Sequence, residues 1–256
     1  MDFGYALSGF VVGAIVGLTG VGGGSLMTPL LVLLFGVAPA TAVGTDLLYA
    51  ALTKTGGVVV HARRRHVRWD IVGRLAAGSL PGALLTIGVL TFAKIDHAAL
   101  SRIVTQSLGV ALILTAFAIL GKRWIQNWGR NSAGAWRERA IVPLTVAVGV
   151  ALGVLVTLSS VGAGALGVAA LFFLYPRLST TEIVGSDIAH AVPLTLVAGL
   201  GHAHLGTVDW TLLGSLLVGS LPGIWLGSSL SARVPDRPLR SALAALLIVI
   251  GGKLVF

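Results

Sequence analysis

Of the 256 residues, 55% are hydrophobic and 11% charged, against roughly 25% charged in an ordinary soluble domain; that much apolar surface excludes a water-soluble fold of this size. The formal charge of +9 would raise nucleic acid as a partner in a soluble protein, but most Lys and Arg sit in short segments between apolar runs, as in the cytoplasmic loops of membrane proteins, so no nucleic-acid partner is expected. The absence of cysteine excludes disulfides, thiolate zinc and thiol chemistry, and no cofactor is called for.

In chain order, Met1-Asp2-Phe3 lacks the basic n-region of a cleavable signal, so the first apolar run is expected to stay in the mature protein. Apolar segments then follow at 4–36, 40–61, 69–92 and 99–121, and after them at 141–175, 181–201, 209–232 and 238–255. Between the two sets, residues 122–139 carry Lys122, Arg123, Arg130, Arg137 and Arg139 against a single acid, Glu138. The class expected is an all-α integral membrane protein, multi-pass, with the lipid bilayer as its solvent.

Segment 4–36 is anomalous. A continuous helix there would be ~50 Å long, against a hydrocarbon core of ~30 Å. Gly20-Val21-Gly22-Gly23-Gly24 supplies a break, because glycine is a poor helix former and tolerates turns. A half-helix over 4–18 and a second from about Ser25 to Phe35 are expected. Segment 141–175 has its own break at Ser159-Ser160-Val161-Gly162-Ala163-Gly164.

A shift of 141 residues superposes Val43-Gly44-Thr45-Asp46 on Val184-Gly185-Ser186-Asp187, His61 on His202 and Trp69 on Trp210. The same shift lays Gly78-Ser79-Leu80-Pro81-Gly82 on an identical string at 219–223, and a one-residue gap brings Val21–Gly24 onto Val161–Gly164. The chain therefore reads as a four-segment unit used twice, 1–121 and 140–256, joined by a basic cytoplasmic linker at 122–139. If the broken segments re-enter and return, each half crosses three times and the halves are inverted. The basic stretches 62–68, 122–139 and Arg233 to Arg240 then share one side, which satisfies the positive-inside rule better than eight simple crossings. Both termini would lie outside.

Non-helical backbone inside a bilayer is tolerated only where protein or an aqueous cavity covers it. Two breaks at matching places point to one central site, where half-helix N-termini would hold a compact anion. Gly22, Gly23, Gly24 and Ser25 would supply backbone and hydroxyl donors from the first break, and Ser160, Gly162 and Gly164 from the second. Against this stands the reading that the glycines only let helices pack, as expected for Gly13 with Gly17 and for Gly219, Gly223 and Gly227. Ionisable residues in membrane segments are costly and usually functional. Asp46 and Asp187 are equivalent, with His190 one turn beyond Asp187 and Lys54 eight residues beyond Asp46 on nearly the same helical face. They read as proton or cation carriers with Lys54 and His190 balancing charge, or as structural caps of the half-helices. His61 and His202 are expected at the membrane surface, with Trp69 and Trp210 as interfacial anchors. No nucleophile and base are paired by spacing, so no enzyme is expected.

The run Gly20-Val21-Gly22-Gly23-Gly24-Ser25-Leu26-Met27-Thr28-Pro29-Leu30, with Ala42-Val43-Gly44-Thr45-Asp46-Leu47 and His202-Ala203-His204-Leu205-Gly206-Thr207-Val208-Asp209-Trp210, resembles the TauE/SafE sulfite-exporter family over essentially the whole chain. The resemblance implies an inner-membrane transporter exporting sulfite, an organosulfonate or a related sulfur anion, with the anion between the two Gly-rich elements. Two departures stand out. Arg65-His66-Val67-Arg68 replaces the Gly-x-Val-Asp string of Gly206 to Asp209, and Asp46 and Asp187 stand where many relatives carry an uncharged polar residue. Rival readings are a divalent-metal transporter with Asp46, Asp187 and His190 as ligands, and a non-transporting scaffold subunit. Self-association into a homo-oligomer stays open.

Overall fold

The computed structural model of the chain describes residues 3–19, 24–93, 97–131, 135–230 and 236–255. Among these it is helical throughout, with eleven helices and no strand. In the first half, α1 (Phe3–Thr19), α2 (Gly24–Phe35), α3 (Pro39–Arg63), α4 (Trp69–Phe92) and α5 (His97–Leu120) follow in order. Next comes α6 (Lys122–Asn131), and then α7 (Ala135–Ser159), α8 (Ala165–Leu174), α9 (Thr180–His204), α10 (Trp210–Leu230) and α11 (Asp236–Val255). Five of them are long and apolar enough to cross a membrane. In α3, Asp46 and Lys54 lower the hydropathy of an otherwise long helix.

Local chemistry sets several boundaries. Pro39 starts α3 at the position where its fixed φ fits and its missing N–H costs nothing. Ser179 and Glu182 form a reciprocal capping box at the start of α9. The second half breaks where expected, between Ser159 and Ala165; in the first half the expected break at Gly20 to Gly23 lies outside the described residues, between the end of α1 and the start of α2. At 12 and 10 residues, α2 and α8 reach only ~18 and ~15 Å, too short to cross alone. The linker stretch is different from what its charge suggests, because its first ten residues form α6, with Trp124, Ile125 and Trp128 on one face and Arg123, Asn127 and Arg130 on the other. Its apolar face is too short and too interrupted to register as a segment.

The helices pack across the two halves. Helix α1 lies along α10 and α4 along α7. A Cβ on Gly9 or Gly13 would strike the backbone of Leu216 or Ser220, and one on Gly219 or Gly223 would strike Ala6 or Phe10. The other half repeats the device, with Gly149 and Gly153 against Leu75 and Ser79, and Gly78 and Gly82 against Val146 and Val150. Apolar helices gain no hydrophobic drive from meeting in lipid, so such backbone-to-backbone approach through small residues supplies the packing energy.

These contacts also fix direction. Residue numbers rise together along α1 and α10, along α4 and α7, and along α4 and α9, where Ser79 meets His190 and Gly201 meets Ile87. They run oppositely along α3 and α9, where Leu48 meets Gly199 and Gly57 meets Ile188, and along α5 and α11, where Gly109 meets Val255 and Ile113 meets Gly251. Thus α7 and α9 both run with α4, and the chain that leaves along α7 has to come back before α9 begins; α8 lies between. Helices α1 and α3 likewise both run with α10, and α2 lies between them.

Polarity is the reverse of a soluble protein's. Leu85, Phe92 and Val249 are among the large apolar side chains turned outward, while Asp46, Asp187, His190 and His202 are buried. A lipid-facing exterior and a polar centre follow from the bilayer as solvent.

Candidate functional site

The motif shared by α3 and α9 has one task per residue. Gly44 and Gly185 let the turn of the opposite half approach: a Cβ would meet the carbonyl of Thr207 at 2.6 Å in one case and of His66 at 2.5 Å in the other. Thr45 and Ser186 tie that turn down, the N–H of Asp209 donating to Thr45 Oγ1 at 3.0 Å and that of Arg68 to Ser186 Oγ at 2.9 Å. The third residue, Asp46 or Asp187, is left to face the breaks.

The second break is built on backbone that L-residues rarely adopt. Ser160 has φ 58°, Gly162 117° and Gly164 143°. Holding the non-glycine Ser160 there costs of order 1 kcal/mol, strain typical of functional sites. Gly164 caps α8 without a side-chain hydrogen bond, and within the first turn the Gly167 N–H turns back to the Gly162 carbonyl at 3.2 Å, leaving Ala165 and Leu166 at the positions where a helix N-terminus has no intrahelical acceptor. The break meets all three central charges in turn. Ser160 Oγ donates to Asp46 Oδ2 at 2.9 Å, Lys54 Nζ donates to the Ala163 carbonyl at 2.6 Å, and the Asp187 carboxylate lies where a Cβ on Gly167 would be. Lys54 interacts electrostatically with both carboxylates.

Antiparallel packing sets the order of these charges along the bundle. Asp46 stands level with the His202 end of α9, Asp187 level with the His61 end of α3, and Lys54 between. Eight residues of helix separate Asp46 from Lys54, ~12 Å.

The two acids differ in their partners. Asp46 Oδ2 also accepts the Thr28 hydroxyl at 2.6 Å, so α2 and the second break both hold it. Asp46 Oδ1 and Asp187 Oδ1 are both buried with no hydrogen-bond partner, so the hydroxyl bonds to Asp46 Oδ2 are what sets the two acids apart. Beyond each acid, His190 Nε2 meets Ser79 Oγ at 2.7 Å while its Nδ1 has no partner. Tyr49, the counterpart of His190, lies beside Ser220, the counterpart of Ser79.

The expected site residues thus fall into groups. Asp46, Asp187, Lys54, Ser160, Gly162 and Gly164 come together around the second break, with His190 one turn away. Gly22 and Gly23 lie outside the described residues, and Gly24 and Ser25 are the first residues of α2. Asp46, Asp187 and His190 do not converge as metal ligands, and no three His, Asp or Glu side chains do so among the described residues. One expectation is corrected. His202 is not at the surface but fully buried, its Nε2 donating to the Thr157 carbonyl at 2.9 Å and its Nδ1 against Thr207 Oγ1 at 2.8 Å. Trp69 and Trp210 are exposed at the starts of α4 and α10, in keeping with interfacial anchors. No motif marks Thr28 or Tyr49 as a site residue, and Ser79 and Ser220 appear only within the string that recurs at 78–82 and 219–223. The 141-residue register does align Tyr49 with His190 and Ser79 with Ser220, which is the signal that marks them.

Residues 5–254 match the family model described as "Sulfite exporter TauE/SafE". The chain is 40% identical over the full length of both chains to "Probable membrane transporter protein YjnA" of Bacillus subtilis. It is 31% identical to "Probable membrane transporter protein YdhB" of the same organism, over 96% of this chain and 97% of that one. An archaeal relative, "Probable membrane transporter protein MJ0441" of Methanocaldococcus jannaschii, is 26% identical over 95% of this chain and 91% of its own. No solved structure gives a significant match.

Proposed function

The chain belongs to the TauE/SafE sulfite exporter family, and from that premise we propose that it moves a small oxyanion, sulfite or an organosulfonate, outward through the centre of two inverted repeats. The observation that carries the reading is the convergence of Ser160, Ala163 and Gly167, in one broken segment, on Asp46, Lys54 and Asp187. Counterpart helices packed antiparallel, α3 with α9 and α5 with α11, support the inversion. The anion is cradled by the donors of the breaks, Gly22, Gly23, Gly24 and Ser25 on one side and Ser160, Gly162 and Gly164 on the other, with Lys54 as its counter-charge.

Asp46 and Asp187 take up protons, with different consequences. A proton on Asp46 weakens its hold on the Ser160 hydroxyl and frees that donor for the anion. A proton on Asp187 removes a negative charge near Lys54 and frees the ammonium to pair with the anion. Carboxylate and substrate are competitors for the same donors, so anion binding strengthens as pH falls. The membrane potential then drives the anion outward, ~2.3 kcal/mol per net negative charge moved per 100 mV, and the proton gradient contributes only where the acids release their protons before the anion leaves. His190, held by Ser79, keeps the polar core on α9 in register with α4. A divalent-metal reading lacks its ligand set, since Asp46, Asp187 and His190 do not converge.

Sulfite flux in proteoliposomes, followed while pH and potential are varied independently, tests the proposal. Saturable flux that accelerates at acid pH, and loses that dependence in Asp46→Asn/Asp187→Asn, is the expected result. Flux with unchanged proton dependence in the double variant contradicts the proton role. Failure to move sulfite or any organosulfonate contradicts the substrate.

A further inference from the structure

Helix α6 has a distinctive surroundings. It is a ten-residue amphipathic helix, Lys-Arg-Trp-Ile-Gln-Asn-Trp-Gly-Arg-Asn, with no acidic residue. Gly129 is buried and fits against the carbonyls of Phe172 and Phe173, so α6 is seated on the end of α8 rather than hanging free. Lys122 Nζ lies 4.9 Å from the centre of the Phe172 ring. Trp124 and Trp128 stack at 5.3 Å, and Trp128 meets Phe173 at 4.9 Å, yet the two indoles remain 66% and 52% exposed. They form one wall of an apolar groove of about 690 Å³ whose floor is Phe117 of α5 and whose far side is Ala169, Ala170 and Phe173 of α8. Arg123 and Arg130 are exposed on the opposite, polar face of α6.

We propose that this groove is a binding site for an anionic phospholipid, with an acyl chain between α5, α6 and α8 and the phosphate held by Arg123 and Arg130. Charge identifies the occupant. Indoles on the apolar face and arginines on the polar face place α6 at the level of the headgroups. Cationic side chains there, uncompensated by any acid in the helix, favour an anionic headgroup over a zwitterionic one. The site has a consequence for the centre of the protein, because α8 is shared. Ala169, Ala170 and Phe173 face the groove while Gly167, on the same short helix, abuts the Asp187 carboxylate. Lipid in the groove therefore braces the half-helix that forms the second break. The inference rests on placement in a bilayer and not on the identity of the transported anion.

Tryptophan quenching by brominated lipids tests it in the full-length protein, reconstituted in vesicles that contain either dibromo-phosphatidylglycerol or dibromo-phosphatidylcholine. The quenching component assigned to Trp124 and Trp128, by difference from Trp124→Phe/Trp128→Phe, should show a preference for phosphatidylglycerol of about fivefold or more. That preference should vanish in Arg123→Gln/Arg130→Gln while the helical circular dichroism is kept. Equal quenching by the two lipids in the wild type overturns the proposal, and so does a preference that survives the arginine substitutions. A change of oligomeric state in Trp124→Phe/Trp128→Phe would assign the groove to a second copy instead.

Discussion

Asp46 and Asp187 occupy the same place in the two halves and are held in opposite ways. Asp46 takes hydroxyl bonds from Thr28 on α2 and Ser160 in the second break. Each acid has one buried oxygen without a donor, Oδ1 in both, but Asp187 has a glycine, Gly167, pressed against it where Asp46 has hydroxyls. In the register that aligns Val21–Gly24 with Val161–Gly164, Val168 is the counterpart of Thr28 and Gly20 of Ser160, and neither carries a hydroxyl. An inherited carboxylate has thus been kept twice and its donors only once. Asp46 is tied to the break through Ser160, and Asp187 lies near Lys54.

The largest test of that contrast removes the charge both acids share. Lys54→Met leaves two buried carboxylates with no nearby cation, and should lower stability by ~3 kcal/mol and abolish anion flux; thermal unfolding in detergent and proteoliposome assays measure the two. Next comes the close approach at Gly167. Gly167→Ala drives a methyl group into Asp187 and should cost about 1–3 kcal/mol, most of it recovered in Gly167→Ala/Asp187→Ala, because the collision partner is gone. A double-mutant cycle by thermal unfolding reads the coupling. Thr28→Val strikes the other acid, leaving Asp46 with one hydroxyl donor, and should cost ~1–2 kcal/mol. Recovery in Thr28→Val/Asp46→Asn but not in Thr28→Val/Asp187→Asn would localise the loss to Asp46.

The smallest effect lies in the turns. Arg65 has φ 57° where its counterpart Gly206 has φ 72°. Arg65→Gly relieves the left-handed strain of an L-residue at the cost of a more flexible unfolded chain, and should raise stability by ~0.5 kcal/mol. Gly206→Arg should lower it, and a matched pair of melting curves reads the asymmetry.

What the sequence made legible follows from where the signal resides. The breaks in segments 4–36 and 141–175 are visible because excess length and clustered glycine are local properties. The register that pairs Asp46 with Asp187 is visible because polar residues are rare in apolar sequence and their coincidence is improbable. Partner choice is not local. That α1 lies on α10 and not on α4 depends on small residues far apart in the chain, and Gly9 or Gly149 alone names no partner. Thr28 is hidden for the same reason, since a threonine next to Pro29 in an apolar run reads as packing until Asp46 is brought to it. His202 was misplaced because it ends a segment, and the Thr157 carbonyl that buries it comes from α7. Helix α6 is hidden in a stretch whose basic charge outweighs a short amphipathic period.

The central claim is that the two acids, counterparts in the 141-residue register, take up protons with different consequences, Asp46 releasing a donor of the break and Asp187 releasing the Lys54 ammonium. Sulfite flux against pH in Asp46→Asn and Asp187→Asn, measured side by side at clamped potential, tests it most directly. Asp187→Asn should flatten most of the pH profile while flux persists, and Asp46→Asn should tighten apparent anion affinity at neutral pH, its carboxylate no longer competing for the Ser160 hydroxyl, while the profile keeps most of its slope. Identical profiles for the two single variants, or a flat profile in Asp46→Asn with a normal one in Asp187→Asn, would contradict the account.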